Sequence, residues 1–265
     1  MQHNSSGWDQ ATEVNTWIRP RRQVFLGVPF DPLTPDETLA QLRDRTPGSG
    51  FGYVATPNVQ HVVSADRDPD LTRLLDGAWL SLCDSRPIRL LGKRSGLALP
   101  VVTGSDLTTA LFADIIQPGD RIAVICASDT LAEALRTARP ELDWNILVPP
   151  PGTVPGSQAF ADCVDFVAHA DARFIFVCLG APKSEAICHA ASQRPGTTGT
   201  ALCTGASLEF MLGLKKRAPR AFQRLGLEWV HRMLTEPRRL ARRYLSAMLP
   251  LARIWLREPR RSAEA

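Results

Sequence analysis

The sequence predicts an α/β protein: a mostly parallel β-sheet with helices on both faces, followed by a basic helical C-terminal appendage. Three observations carry this. From Gln23 to Gly205, short apolar runs alternate with helix-patterned segments of about ten residues, the order that builds parallel sheets. The runs are apolar throughout, as strands covered on both faces are. Charge also divides along the chain. Residues 215–265 hold 14 Lys/Arg and 4 Asp/Glu, whereas residues 1–214 hold 17 and 23, so the net +4 combines a −6 body with a +10 tail. At 265 residues and 44% hydrophobic, the chain can bury one large domain plus an appendage and is not a disordered polymer.

The elements follow in order. Residues 1–22 read as a flexible leader ending in the basic turn Arg19-Pro20-Arg21-Arg22. QVFLGVPF (23–30) reads as one strand. Thr34-Pro35-Asp36-Glu37 opens a helix over 35–45, with a Thr cap, Pro at the first position and Glu three residues on. FGYVAT (51–56) is a strand, 58–65 a helix and AWLSLC (78–83) a strand. Residues 85–105 form a Pro/Gly-marked loop region with room for a short helix, and 105–116 is a helix. RIAVICA (121–127), WNILVPP (144–150), ARFIFVCLG (172–180) and TALCTG (200–205) are strands, separated by helices over 128–140, 157–170 and 182–192. The Rossmann-like body is thus 23–213 and the basic amphipathic helical appendage 214–265.

Ligands of open parallel sheets bind outside the carboxyl ends of the strands. Those ends carry Thr56-Pro57-Asn58, Asp84-Ser85-Arg86, Ser128-Asp129, Pro151-Gly152, Gly180-Ala181-Pro182-Lys183 and Thr204-Gly205-Ala206. Asp84 directly follows an apolar strand. It is either a general base at the crevice edge or the cap of the next segment. Other motifs resolve to structure. Gly48-Ser49-Gly50-Phe51-Gly52 precedes a strand instead of following one, so it reads as a turn and not a dinucleotide loop. Asp66-Arg67-Asp68-Pro69-Asp70 follows a helix and reads as an end plus an Asp cap. No GxSxG, HxxxH or CxxC occurs, which leaves no hydrolase elbow and no metal-ligand spacing. The six cysteines read as reduced core residues.

The tail opens with Lys215, Lys216, Arg217, Arg220 and Arg224. Leu225, Trp229, Met233, Leu240, Tyr244, Met248 and Trp255 then recur at near-helical spacing among further arginines, with Pro237 and Pro250 expected to break it into about three helices. Apolar side chains interleaved with Arg suit an anionic membrane surface or packing on the body more than nucleic acid. The N-terminus lacks a secretory signal pattern, and no apolar run is long enough to span a bilayer.

Together these residues resemble the WecG/TagA/CpsF family of bacterial glycosyltransferases (family 26 type), from about Val24 to Arg243. The match rests on Leu26-Gly27-Val28-Pro29-Phe30, Thr56-Pro57-Asn58, Asp84, Gly104-Ser105-Asp106-Leu107 and Gly180-Ala181-Pro182-Lys183-Ser184-Glu185. Its most specific part is Lys216-Arg217-Ala218-Pro219 through Gly226-Leu227-Glu228-Trp229, Arg232, Glu236-Pro237 and Arg238-Arg239-Leu240. The resemblance implies a Rossmann-like body and inverting, metal-independent transfer of a sugar from a UDP-sugar to a polyprenyl-diphosphate-linked acceptor, without a cofactor. It places the protein peripherally on the cytoplasmic face of the bacterial plasma membrane, with no nucleic-acid partner, and leaves a homo-oligomer open. It makes Asp84 the base and sets Thr56 beside it in the catalytic pair. Asn58, Ser85, Gly104, Asp106, Gly180, Pro182, Lys183, Glu185 and Gly205 line the substrate, and Arg217, Arg220 and Arg224 meet diphosphates. Six positions at four places depart from the family pattern: Ser85 for Gly, Ser184 for Gln, Pro100-Val101 for Glu-Arg, and Ala127-Ser128 for Gly-Gly. They favour a hexose donor over N-acetylmannosamine. They also raise the alternative of a catalytically degenerate scaffold that binds nucleotide sugar or lipid.

Overall fold

The computed structural model describes residues 21–215 and 237–258, with the side chains of 237–246 excepted. The run 23–30, expected as one strand, is a hairpin: β1 (Gln23–Phe25) pairs antiparallel with β2 (Val28–Phe30). Leu26 and Gly27 turn the chain with φ of 54° and 73°. Positive φ at both central residues matches the twist of two-residue hairpins. The Leu26 side chain is buried.

Helix α1 (Pro35–Arg43) starts as its sequence dictates, with a complete Thr34–Glu37 capping box. β3 (Gly52–Ala55) leads into α2 (Val59–Ala65). Asp68 caps α3 (Pro69–Asp76), so the acidic run is a helix boundary. β4 spans only Leu80–Ser81. The expected loop contains a full helix, α4 (Arg86–Arg94), capped by Ser85 with Pro87 in its first turn. Next come α5 (Gly104–Asp114), β5 (Arg121–Ile125), α6 (Asp129–Ala138), β6 (Asp143–Leu147) and α7 (Gln158–Ala168). The body closes with β7 (Phe174–Val177), α8 (Lys183–Ser192), β8 (Thr200–Cys203) and α9 (Ser207–Met211).

Strands β3 to β8 form one parallel sheet in the order β4-β3-β8-β7-β5-β6. Alternate side chains enter two separate cores. Tyr53, Ala55, Ile175, Val177 and Ala201 pack with α2, α3, α7 and α8 on one face. Val54, Val124, Phe174, Phe176 and Leu202 pack with α5, α6 and α9 on the other. β3 and β7 are therefore followed by helices on the first face, while β8 between them is followed by α9 on the second. By the strand-order rule for doubly wound sheets, that reversal marks the carboxyl ends of β3 and β8 as the place for a ligand crevice.

The last described helix is α10 (Pro237–Arg257). The expected break at Pro250 does not occur, because Pro250 lies inside it. Ala247, Leu251 and Ile254 form one buried stripe across the proline, and Leu251 and Ile254 join the α2-face core. Burying that stripe outweighs the one helical bond that Pro cannot donate. The sequence-level stripe through Met248 and Trp255 is offset from it: Met248 is exposed and Trp255 only half-buried. Trp255 Nε1 donates to Ser95 Oγ just beyond α4, at 3.2 Å. Among the described residues no helix is long and apolar enough to cross a membrane.

Candidate active site

The crevice is built from four strand ends. From β3 comes Thr56, 5% exposed, whose Oγ1 donates to the Cys203 carbonyl of β8 at 3.3 Å. Its partner Asn58 caps α2, its side chain accepting the Gln60 N–H at 3.0 Å. Such a cap is worth about 1 kcal/mol, and it holds the Thr56–Asn58 corner in place.

Asp84 follows β4. Its backbone N–H donates to the Pro57 carbonyl at 2.9 Å, which ties the β3 and β4 ends together. Ser85 takes the capping duty, its Oγ accepting the Ile88 N–H at 3.3 Å. The Asp84 carboxylate points instead toward α5, where Oδ2 accepts the Gly104 N–H at 3.4 Å. Gly104 has no room for a side chain. A Cβ there would meet Thr204 Cβ at 3.2 Å, Thr204 Cα at 3.3 Å and Thr56 Oγ1 at 3.3 Å. Asp84, Gly104, Thr56 and Thr204 are thus contiguous at the crevice floor.

Asp106 is exposed and serves its own helix. It accepts from Thr103 Oγ1 at 2.7 Å, while Thr103 caps α5.

After β7, Gly180 has φ of 79° and the Ala181–Pro182 peptide is cis. Pro182 is exposed and Lys183 half-buried. Ser184 is 1% exposed, and its Oγ accepts the Leu179 N–H at 3.2 Å, so its hydroxyl is used inside the loop. Glu185 does not line the open crevice. It is 2% exposed and faces His61 Nε2 at 3.4 Å across the α2–α8 contact, and its Oε2 has no hydrogen-bond partner. His61 Nδ1 accepts the Asn58 N–H at 3.2 Å, which links Glu185 to the Asn58 corner. Gly205 has φ of 56° and turns the chain from β8 into α9. The thiols near these ends are structural. Burial pushes the Cys83 thiol up to about 12 and raises that of Cys178 as well, so neither is a nucleophile near neutral pH.

Sequence reasoning missed two sets of residues: His61, which it treated only as one His without an HxxxH partner, and the Thr108–Ser207–Thr204 hydroxyls. Thr204 stood among the strand ends, but nothing local signalled Thr108, 96 positions away in the chain. Arg217, Arg220 and Arg224 lie outside the described residues. Among the described residues no group of three or more His, Cys, Asp or Glu converges.

The architecture is that of a doubly wound α/β protein with a polar, carboxylate-bearing crevice at its switch point. A family model described as glycosyl transferase, WecG/TagA/CpsF family, matches residues 23–265. The chain belongs to that family, and its class of chemistry is glycosyl transfer between a sugar donor and an acceptor.

Proposed function

We propose that this chain is an inverting glycosyltransferase that needs neither metal nor cofactor. It moves a sugar, hexosyl or N-acetylmannosaminyl in type, from a UDP-sugar to a polyprenyl-diphosphate-linked glycan during exopolysaccharide or other cell-surface polysaccharide assembly. The observation that carries this reading is the placement of the Asp84 carboxylate at the strand ends, against the Gly104 N–H and next to Thr56.

Asp84 takes the proton of the acceptor hydroxyl. The acceptor oxygen attacks the anomeric carbon opposite the diphosphate, the bond from that carbon to the diphosphate oxygen breaks, and UDP leaves. Holding both substrates in line supplies part of the rate. Arg217, Arg220 and Arg224 meet the departing charge with planar donor forks. The +10 tail and the exposed Leu249 and Leu256 of α10 favour peripheral contact with the anionic inner face of the plasma membrane.

The test is radiolabel transfer from a panel of UDP-sugars to a polyprenyl-diphosphate-sugar. Asp84→Asn should lower the rate by about 10²–10⁴-fold. A variant as active as the parent, or a parent inactive with every donor, overturns the mechanism. One observation favours the scaffold alternative: Ser184, where the family has Gln, is buried with its Oγ turned to the Leu179 N–H inside the loop. UDP-sugar binding without turnover would decide for it.

A further inference from the structure

A buried line of three hydroxyls runs from the second core to the crevice floor. Thr108 on α5 is 0% exposed, Ser207 at the start of α9 is 1%, and Thr204 at the end of β8 is 8%. Thr108 Oγ1 donates to Ser207 Oγ at 2.8 Å, and Ser207 Oγ donates to Thr204 Oγ1 at 2.8 Å.

A hydroxyl has one proton to give. Thr108 gives its proton to Ser207 and Ser207 gives its own to Thr204, so the line has a direction. The Thr204 proton is the one left uncommitted within it. Thr204 is also the only one of the three with solvent-accessible surface above 1%, and its Cβ side abuts Gly104. Successive hydrogen bonds polarise one another, which makes Thr204 a stronger donor than an isolated threonine.

We propose that Thr204 donates this hydrogen bond to an oxygen of the sugar being transferred, with Ser207 and Thr108 as positioning residues that hold it in the donor orientation. The inference rests on the glycosyl-transfer reading and adds a specificity contact to it. The order of strand ends places the contact. Along β4-β3-β8-β7 the ends present Asp84, Thr56, Thr204 and the Gly180 turn. With the acceptor hydroxyl at Asp84 and the diphosphate toward Gly180, the transferred sugar lies over Thr204. Because the Thr204 proton is the one the line leaves to give, Thr204 reads an oxygen lone pair of the sugar.

The experiment is equilibrium binding of the UDP-sugar panel, and of deoxy analogues of whichever member binds, to the full chain without acceptor. Turnover is therefore not required. The parent should bind one deoxy analogue about tenfold more weakly than its parent sugar. Thr204→Val should bind the parent sugar about tenfold more weakly and lose that discrimination, while Thr204→Ser keeps both. Ser207→Ala should weaken binding in the Thr204 background and have no further effect in Thr204→Val, the mark of a shared pathway. Circular dichroism and thermal midpoints establish that each variant folds. If the panel binds and Thr204→Val matches the parent, the hydroxyl line is refuted and the transferase reading stands. If nothing in the panel binds the parent, both fall together.

Discussion

Two leucines of α10, five residues apart, carry the same chemical group into opposite surroundings. Leu251 is 1% exposed and Leu256 is 74% exposed. Truncating Leu251 to Ala removes three carbons at about 0.8 kcal/mol each and leaves a cavity beneath α10, so the expected cost is about 3 kcal/mol. Leu256→Ala should stay within about 0.5 kcal/mol. Equilibrium urea unfolding reads the difference. With a slope of about 3 kcal/mol per molar for a chain of this size, the Leu251→Ala midpoint falls by about 1 M and that of Leu256→Ala stays in place. Limited proteolysis should also cut Leu251→Ala first within the tail, since Leu251 and Ile254 are its anchors to the α2-face core. Equal midpoints for the two variants would refute the docking of α10 on the body. The docking has a corollary for a chain truncated near Gly213: it would uncover the surface that Leu251 and Ile254 cover, and lose stability as well as basic charge.

Three further outcomes follow. Gly199 has φ of 89°, and a Cβ there would lie 2.4 Å from the Ala172 carbonyl oxygen; Gly199→Ala should cost more than about 2 kcal/mol, read as a lowered urea midpoint. The Thr34 N–H, then the Thr34 hydroxyl, hold the Glu37 carboxyl below its usual value. A lowered folded pKa means stability that is present above the unfolded value and lost as pH falls through the folded one; Glu37→Gln should therefore flatten the fall of the unfolding midpoint below about pH 4.3, and an unchanged slope would count against it. Burial raises Cys163 to about 11 and Cys83 to about 12; a thiol reagent at pH 8 should label both only after denaturant is added, and rapid native labelling would contradict their placement.

Much of this was readable because local chemistry and global fold agree. Thr34-Pro35-Asp36-Glu37, Asp68-Pro69 and the apolar runs of β5 and β7 each carry their instruction within a few residues. The hairpin was not readable in that way. Leu26-Gly27 is a turn whose first residue is a buried apolar side chain, so the run looks continuous. α4 carried a Ser85 cap with Pro87 behind it, the same kind of signal that marked α1, but surrounding Pro and Gly masked it. In the tail, the visible stripe ran through Met248 and Trp255, whereas the body selects Ala247, Leu251 and Ile254. That choice depends on the surface α2 offers, which no local pattern contains. The site divided similarly. Thr56, Asp84 and Gly104 were legible as strand and helix ends, while the Thr108–Ser207–Thr204 line and the His61–Glu185 contact exist only once distant segments pack.

The β1–β2 hairpin has a consequence for how this protein keeps to itself. β4 is the outer strand of the sheet and only two residues long, and an outer strand is a template for pairing with another molecule. Its backbone valences are already taken. Asp31 N–H donates to the Ser81 carbonyl, and Ser81 N–H donates to the Asp31 carboxylate, both at 2.7 Å. Arg22 in turn grips Asp31 at 2.8 Å and the Ala78 carbonyl at 2.7 Å. The clasp acts as a stopper on that margin. The opposite margin, β6, runs straight into Pro149-Pro150-Pro151, residues that cannot donate to an incoming strand. Open-ended growth of the sheet is thereby checked at one side by an arginine-locked carboxylate and shortened at the other by proline.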